Sequence, residues 1–396
     1  MQAALSKIDH VFCQHEGNCR MKEILFLGDC LDMGGIGRAF TTLAEALERS
    51  GVRVKVVAMY KHDIPRLLPA AQTRLVGYVW RYQITNRWIG KALRLLNWMT
   101  CWRLYFLFAK KYQHDVFVVY AANIDPQWCW YSKKHCIGWL HGMSIIGFDR
   151  MSKWLRIFMK RRMRCALERY DKLFAVSPAT ASYWNDLVSL SIIPSVVYNI
   201  SNTEEITRLS KCAQTEIRNN NQPNLLTVAR LSSEKGIGRL LEVYQRLLNE
   251  GFRFKAYIVG DGSQRAEIEK MISDLGLCEI VHLLGEKKNP YPYMIASDLL
   301  ICSSYVEGLS MVLSEALCLG CPVISTDCGG PRDLLREGKW GCIVENSIEG
   351  LYNGLKGFLN DPHSVMPKVS FDGVREEIEK VDKATIAMLK EMFNAL

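Results

Sequence analysis

The chain repeats one local pattern along its length: a short apolar run, a turn opened by Gly or a small polar residue, then a helical stretch. That alternation leaves few folds open, because strands that return through helices build a doubly wound parallel sheet. In the first half the predicted strands are 23–28, 52–60, 116–120, 136–139, 172–176 and 193–198, with helices at 38–50 and 150–169. The second half repeats the pattern from Asn224 to about residue 371. Residues 200–222 are polar and rich in Asn, so the boundary between domains is expected there. A chain of 396 residues can bury two cores. The expected division is an extension at 1–20, a first domain at 21–199, a second at 200–371 and an amphipathic helix in 372–396. The apolar face of that helix is Val374, Ile378, Val381, Met388, Leu389 and Phe393.

Chemistry-bearing residues gather where strands of the second half end. Residues 307–322 read Glu307-Gly-Leu-Ser-Met-Val-Leu-Ser-Glu315-Ala-Leu-Cys-Leu-Gly-Cys-Pro322. One carboxylate precedes an apolar helix, and the second is expected about two turns inside it. The free N–H groups and positive dipole end of a helix suit a phosphate. A carboxylate at that mouth would repel phosphate and is better placed to accept hydrogen bonds from hydroxyls. Phosphate and hydroxyls in one site suggest a nucleotide-sugar; an acidic helix start with a surface Glu is the plainer alternative. Upstream, Asn224-Leu-Leu-Thr-Val-Ala-Arg230-Leu-Ser-Ser-Glu-Lys235-Gly236 is a buried strand with a basic residue at its end and a second at a helix start. Arg230 and Lys235 would meet a diphosphate at the carboxyl edge of a sheet and stabilise the charge that grows as a nucleotide leaves.

On these residues the chain resembles the retaining nucleotide-sugar transferases of glycosyltransferase family 4, the group 1 glycosyltransferases of GT-B architecture. The resemblance rests on Arg230…Lys235-Gly236, Gly260-Asp261-Gly262, Glu307-x7-Glu315, Gly320-Cys-Pro-Val-Ile-Ser325 and Gly329-Gly330-Pro331. It is dense from 224 to 345 and looser in the first half, at Gly34-Gly35 and Leu140-His141-Gly142. It implies an α/β fold of two Rossmann-like domains facing a cleft, with the last helix crossing back to the first domain. Glu307 is then expected to face the donor sugar, with the backbone of Gly308, Leu309, Ser310 and Met311 on sugar or phosphate. Glu315 would hold the ribose hydroxyls, and His141 would touch the transferred sugar. Gly34 and Gly35 would close over phosphates or acceptor, where Gly permits close approach and positive φ. Glu286 and Lys287 lie where the base is expected. The implied reaction is hexosyl transfer with retention. No further carboxylate suggests a covalent nucleophile, so the leaving phosphate itself would take the acceptor proton on the same face. No cofactor or metal is expected, since two cations serve the diphosphate. An epimerase on the same fold and a non-catalytic sugar-nucleotide scaffold are the competing readings.

Charge is uneven. Residues 1–198 carry 28 Lys and Arg against 14 Asp and Glu, whereas 199–396 carry 22 against 27. Residues 64–114 hold nine Lys and Arg, no acidic residue and a dense aromatic series. Residues 150–167 add Arg150, Lys153, Arg156, Lys160, Arg161, Arg162 and Arg164 beside Trp154, Phe158 and Met159. Basic helices with aromatics suit an anionic bilayer surface, where a lipid-linked acceptor would lie; a solvated basic face is the plain alternative, and nucleic acid is not expected as a partner. No run of about 18 uncharged apolar residues and no signal pattern is visible. The fourteen Cys lack a disulfide framework. The expected place is therefore cytoplasmic, peripheral on the inner face of the membrane. Cys318-x2-Cys321 reads as two small helix-end residues, not a redox pair. His10, Cys13, His15 and Cys19 sit in the expected N-terminal extension and are not read as a zinc site.

Overall fold

A computed structural model describes residues 23–28, 34–58, 115–120, 135–143, 152–212, 215–217 and 221–396. The expected extension with its His and Cys residues, the basic-aromatic stretch 64–114 and Arg150 lie outside the described residues. The first unit runs β1 (Glu23–Gly28), α1 (Gly35–Arg49), β2 (Arg53–Ala58), β3 (Val116–Tyr120), β4 (His135–Leu140), α2 (Lys153–Leu167), β5 (Lys172–Ala175), α3 (Pro178–Val188) and β6 (Ser195–Val196). Helix α4 (Thr203–Ser210) leads to the second: β7 (Asn224–Val228), α5 (Ile237–Asn249), β8 (Lys255–Val259), α6 (Arg265–Asp274), β9 (Val281–Gly285) and α7 (Tyr291–Ile295). It continues through β10 (Leu299–Cys302), α8 (Met311–Cys318), β11 (Val323–Thr326), α9 (Gly330–Leu334), β12 (Cys342–Val344), α10 (Ile348–Asn360), α11 (Pro362–Val365) and α12 (Phe371–Ala395).

Among the described residues each unit is a six-stranded parallel sheet, ordered β2-β1-β3-β4-β5-β6 and β12-β11-β10-β7-β8-β9. These orders fix where a ligand can sit. In doubly wound sheets the crevice opens beyond the carboxyl ends of the strands where the winding reverses. The reversal lies between β1 and β3 in the first sheet and between β7 and β10 in the second. The first feeds the loop to Gly34 and Gly35; the second feeds Arg230 and Lys235 on one side and Glu307 on the other.

The central strands are buried on both faces, as parallel strands between helices must be. Ile24 and Phe26 of β1 join one apolar layer, while Leu25 and Leu27 join the layer beneath. The second sheet has the same two layers, centred on Leu225 and Ile258 above and Leu226 and Val259 below. Helix α12 belongs to both units. Val374 and Ile378 pack in the second, and Leu389, Met392 and Phe393 in the first, where Phe393 meets Phe26 edge-on at 6.5 Å.

Three local expectations change. Helix α1 begins at Gly35, so Gly34 is its cap and Gly35 its first residue. Strand β6 keeps only Ser195–Val196, because Pro194 lacks the N–H that would extend it at a sheet edge. The inward face of α12 takes Asp382 and Met392, with Val381 and Met388 only half-buried. As the helix passes from one unit to the other its buried side turns, and Asp382 accepts a hydrogen bond from the Ser201 N–H of the connecting segment at 3.0 Å.

Candidate active site

Strands β7 and β10 are neighbours, so the loops leaving their carboxyl ends are brought together. After β7 a short turn, Ser233–Lys235, ends at Gly236 with φ +63°. A Cβ there would stand 2.3 Å from the Ser303 carbonyl oxygen, so only Gly lets this turn lie against the end of β10. Lys235 Nζ then donates to Glu307 Oε1 at 2.5 Å, and Ser304 Oγ donates to the same oxygen at 3.0 Å. Burial pulls the Lys235 ammonium down, but the neighbouring Glu307 more than offsets it and holds the pKa above its ordinary value. Lys235 is therefore a cation at neutral pH. Arg239, nearly fully buried, fixes the turn that carries Glu307: it donates to the Ser303 and Ser304 carbonyls at 2.7–3.0 Å and to Asn346 Oδ1 at 2.7 Å.

Glu307 does not run straight into its helix. Its N–H donates to the Cys328 carbonyl at 2.9 Å and it forms a lone parallel bridge with Gly329. Helix α8 therefore opens at Met311 with Ser310 as its cap, and Glu315 lies just over one turn inside, not two. The segment between is pressed on the first domain. A Cβ on Gly308 would stand 2.1 Å from the His141 carbonyl oxygen. Ser177 Oγ donates to the Gly308 carbonyl at 2.5 Å while capping α3, and Thr180 Oγ1 reaches the same oxygen at 3.4 Å.

Glu315 is only 1% exposed and is held across the cleft. Arg38 Nη1, from α1, donates to its Oε1 at 2.9 Å and Oε2 at 3.2 Å, and the Tyr291 hydroxyl donates to Oε1 at 3.2 Å. The Glu315 charge, working against burial, raises the Arg38 pKa above its ordinary value. Burial first, and then Glu315, raises that of Tyr291. Arg38 therefore stays a cation and Tyr291 a neutral phenol across the physiological range.

The remaining predicted residues divide. Arg230 is exposed and pairs with Glu234 at 3.0 Å on the same edge as Lys235. The His141 ring lies inward against Tyr120 (centroids 4.1 Å apart) and Trp139, and it is the His141 carbonyl that meets Gly308. Burial pushes His141 down to about 3, so the imidazole is neutral. Gly34 has φ −70° and a Cβ on Gly35 would meet nothing within 4 Å among the described residues, so positive φ does not explain either Gly. Glu286 is exposed, and Lys287 is engaged by Glu216 at 2.6 Å. Cys318 and Cys321 are buried thiols that desolvation pushes up to about 12, as inert packing residues require. Arg38, Tyr291, Ser177, Thr180 and Arg239 were not singled out in the sequence. Among the described residues no group of three or more His, Cys, Asp or Glu is gathered as for a metal ion, and no helix is long and apolar enough to cross a membrane.

Two doubly wound parallel sheets that meet across a cleft, with a Lys–Glu pair at the winding reversal of the second, define the GT-B class. The profile described as "Glycosyl transferases group 1" matches residues 213–369, and "Glycosyltransferase Family 4" matches 33–205. The chain belongs to this family of glycosyltransferases. It is 31% identical over 221 residues to the N-acetylgalactosamine-N,N'-diacetylbacillosaminyl-diphospho-undecaprenol 4-alpha-N-acetylgalactosaminyltransferase of Campylobacter jejuni, a match covering 55% of this chain and 59% of that one. The chain thus spans less than two thirds of that relative's length. In fold it is similar to Anabaena HepE in complex with UDP and glucose (TM-score 0.69, 18% identity, covering 95% of this chain and 100% of that one). It is also similar to the sucrose-phosphate synthase of Thermosynechococcus elongatus (TM-score 0.74, 18% identity, covering 94% and 98%).

Proposed function

We propose that the protein is a retaining glycosyltransferase that moves a hexosyl unit from a UDP-sugar to a saccharide or lipid-linked acceptor in bacterial surface-polysaccharide assembly. The observation that carries this reading is the Lys235–Glu307 pair at the winding reversal of the second sheet. Both described donors to Glu307 fall on Oε1, which leaves Oε2 to accept from a sugar hydroxyl. Lys235 and Arg230 stand on one edge, where they neutralise the departing diphosphate; such preorganised charge is a large part of catalysis in water-poor sites. With Gly308 closed against the first domain, the acceptor approaches from that side, and the leaving phosphate takes its proton on the face it departs from. The UDP complex of the Anabaena protein supports a uridine donor. The name of the Campylobacter relative supports an acceptor on a lipid diphosphate. Trp154, Leu155 and Phe158 are exposed beside Lys153, Arg156 and Arg161 on α2, which supports a peripheral place on the inner membrane face.

The test is nucleotide release from UDP-, GDP- and ADP-sugars, with and without acceptor lipid and with excess EDTA. The expected result is release from the UDP-sugar that persists under chelation and yields a product of unchanged anomeric configuration. Release from none of the three overturns the reading. Loss on chelation with recovery in Mg²⁺ or Mn²⁺ overturns its metal independence.

A further inference from the structure

We infer that Arg38, on the first domain, is a positioning residue for the nucleotide held by the second: it fixes one oxygen of Glu315 and leaves the other for the ribose. The inference rests on the nucleotide-sugar reading above. The two oxygens of Glu315 are not equivalent. Among the described residues Oε1 accepts from both Arg38 Nη1 and the Tyr291 hydroxyl, whereas Oε2 has the longer contact to the same Nη1, at 3.2 Å. A single nitrogen shared by two oxygens is not the parallel fork of a bidentate pair. A small slide of the guanidinium towards Oε1 frees Oε2 without leaving Oε1 unpaired.

Access points the same way. Glu315 is 1% exposed and Arg38 29%, so the guanidinium is the cover over the carboxylate. Tyr291, from α7, is itself buried and stands as the fixed wall. Arg38 enters from the turn of α1 that comes after Gly34 and Gly35, which is the edge of the first sheet facing the cleft. A ribose hydroxyl that reaches Oε2 therefore does so beside Arg38. An ordinary structural ion pair at a domain interface has no need of a second donor on one oxygen only. Here Tyr291 secures Oε1 and frees Arg38 to move.

The experiment measures discrimination at the ribose by calorimetry. UDP, GDP and ADP are titrated into the wild-type protein, and the tightest is compared with its 2′-deoxy and 3′-deoxy forms. A charged hydrogen bond at Oε2 should make the ribo form at least about tenfold tighter than one of the deoxy forms. In Arg38→Ala that preference should fall below about twofold, and Arg38→Lys should restore most of it. Combined with Glu315→Gln, Arg38→Ala should reduce it no further than either change alone, as residues acting through one oxygen must. A wild-type preference in Arg38→Ala, with only a lowered Tm, makes Arg38 a structural tie and overturns the inference. Should that variant not fold, Arg38→Gln decides by the same ratio. If no nucleoside diphosphate binds the wild type, it is the nucleotide-sugar reading that fails; if one binds without ribose preference, the inference alone fails.

Discussion

Single side chains at the cleft divide into those that bear charge and those that make room. Removing Lys235 leaves Ser304 as the described donor to Glu307 Oε1 and takes a cation from the leaving diphosphate. Lys235→Ala should lower kcat/KM by at least two orders of magnitude, about 3 kcal/mol of transition-state stabilisation. Turnover near wild type in a folded variant would refute the role. Gly308 makes room. In Gly308→Ala the new methyl would meet the His141 carbonyl at 2.1 Å, so the domains must part. Here kcat/KM should fall at least about tenfold, because misplacement of about 1 Å has that consequence, while UDP affinity changes little. Equal losses of turnover and UDP affinity would point instead to damage within the second domain. The Gly was legible in the sequence, but its cause was not: the atom that excludes a side chain comes from another domain. Arg38 was equally hidden, since its partner stands 277 positions away and no local spacing links them.

At the scale of elements the strands were the legible part. β3 has the predicted ends and β1 also, because a run buried on both faces announces itself by continuous apolar composition. Helix starts were less legible. α8 begins later than its apolar run suggests, because the Glu307 backbone is drawn into pairing with Cys328 and Gly329, a contact made by tertiary packing. In α12 periodicity favoured Val381, and the fold buried Asp382. Burial pushes Asp382 up to about 7, with nearby Glu379 raising it further and the Ser201 and Asn202 N–H groups opposing. The folded chain keeps this proton where the unfolded chain has lost it. Stability from this group is therefore greatest at low pH and declines as pH rises towards 7. Asp382→Asn retains an acceptor for Ser201 and removes the decline. Its gain in unfolding free energy should be larger at pH 8 than at pH 5 by about 2 kcal/mol. Denaturant titrations giving the same difference at both pH values would rule out the buried proton.

Over the whole molecule, net positive charge lies in the first half of the sequence, and on α2 it meets apolar exposure. The first half is net basic, and on α2 Trp154 is 83% and Phe158 59% exposed next to Arg156, Lys160 and Arg161. The protein should bind anionic vesicles, weakly in high salt where the electrostatic part is screened. Replacing Arg161, Arg162 and Arg164 by Glu should remove the salt-sensitive part and leave donor hydrolysis largely unchanged. Cosedimentation equal to wild type at low salt would reduce the helix to a solvated face. The crossing of α12 bears on how such a molecule is made. Phe26 and Phe40 leave the ribosome well before Leu389, Met392 and Phe393, which complete their layer and are translated after the entire second sheet. At roughly 5–20 residues per second, the first sheet waits tens of seconds with one apolar flank open. Newly made chains are therefore expected to need chaperones that shield apolar surface, and the domain that is synthesised first is the one completed last.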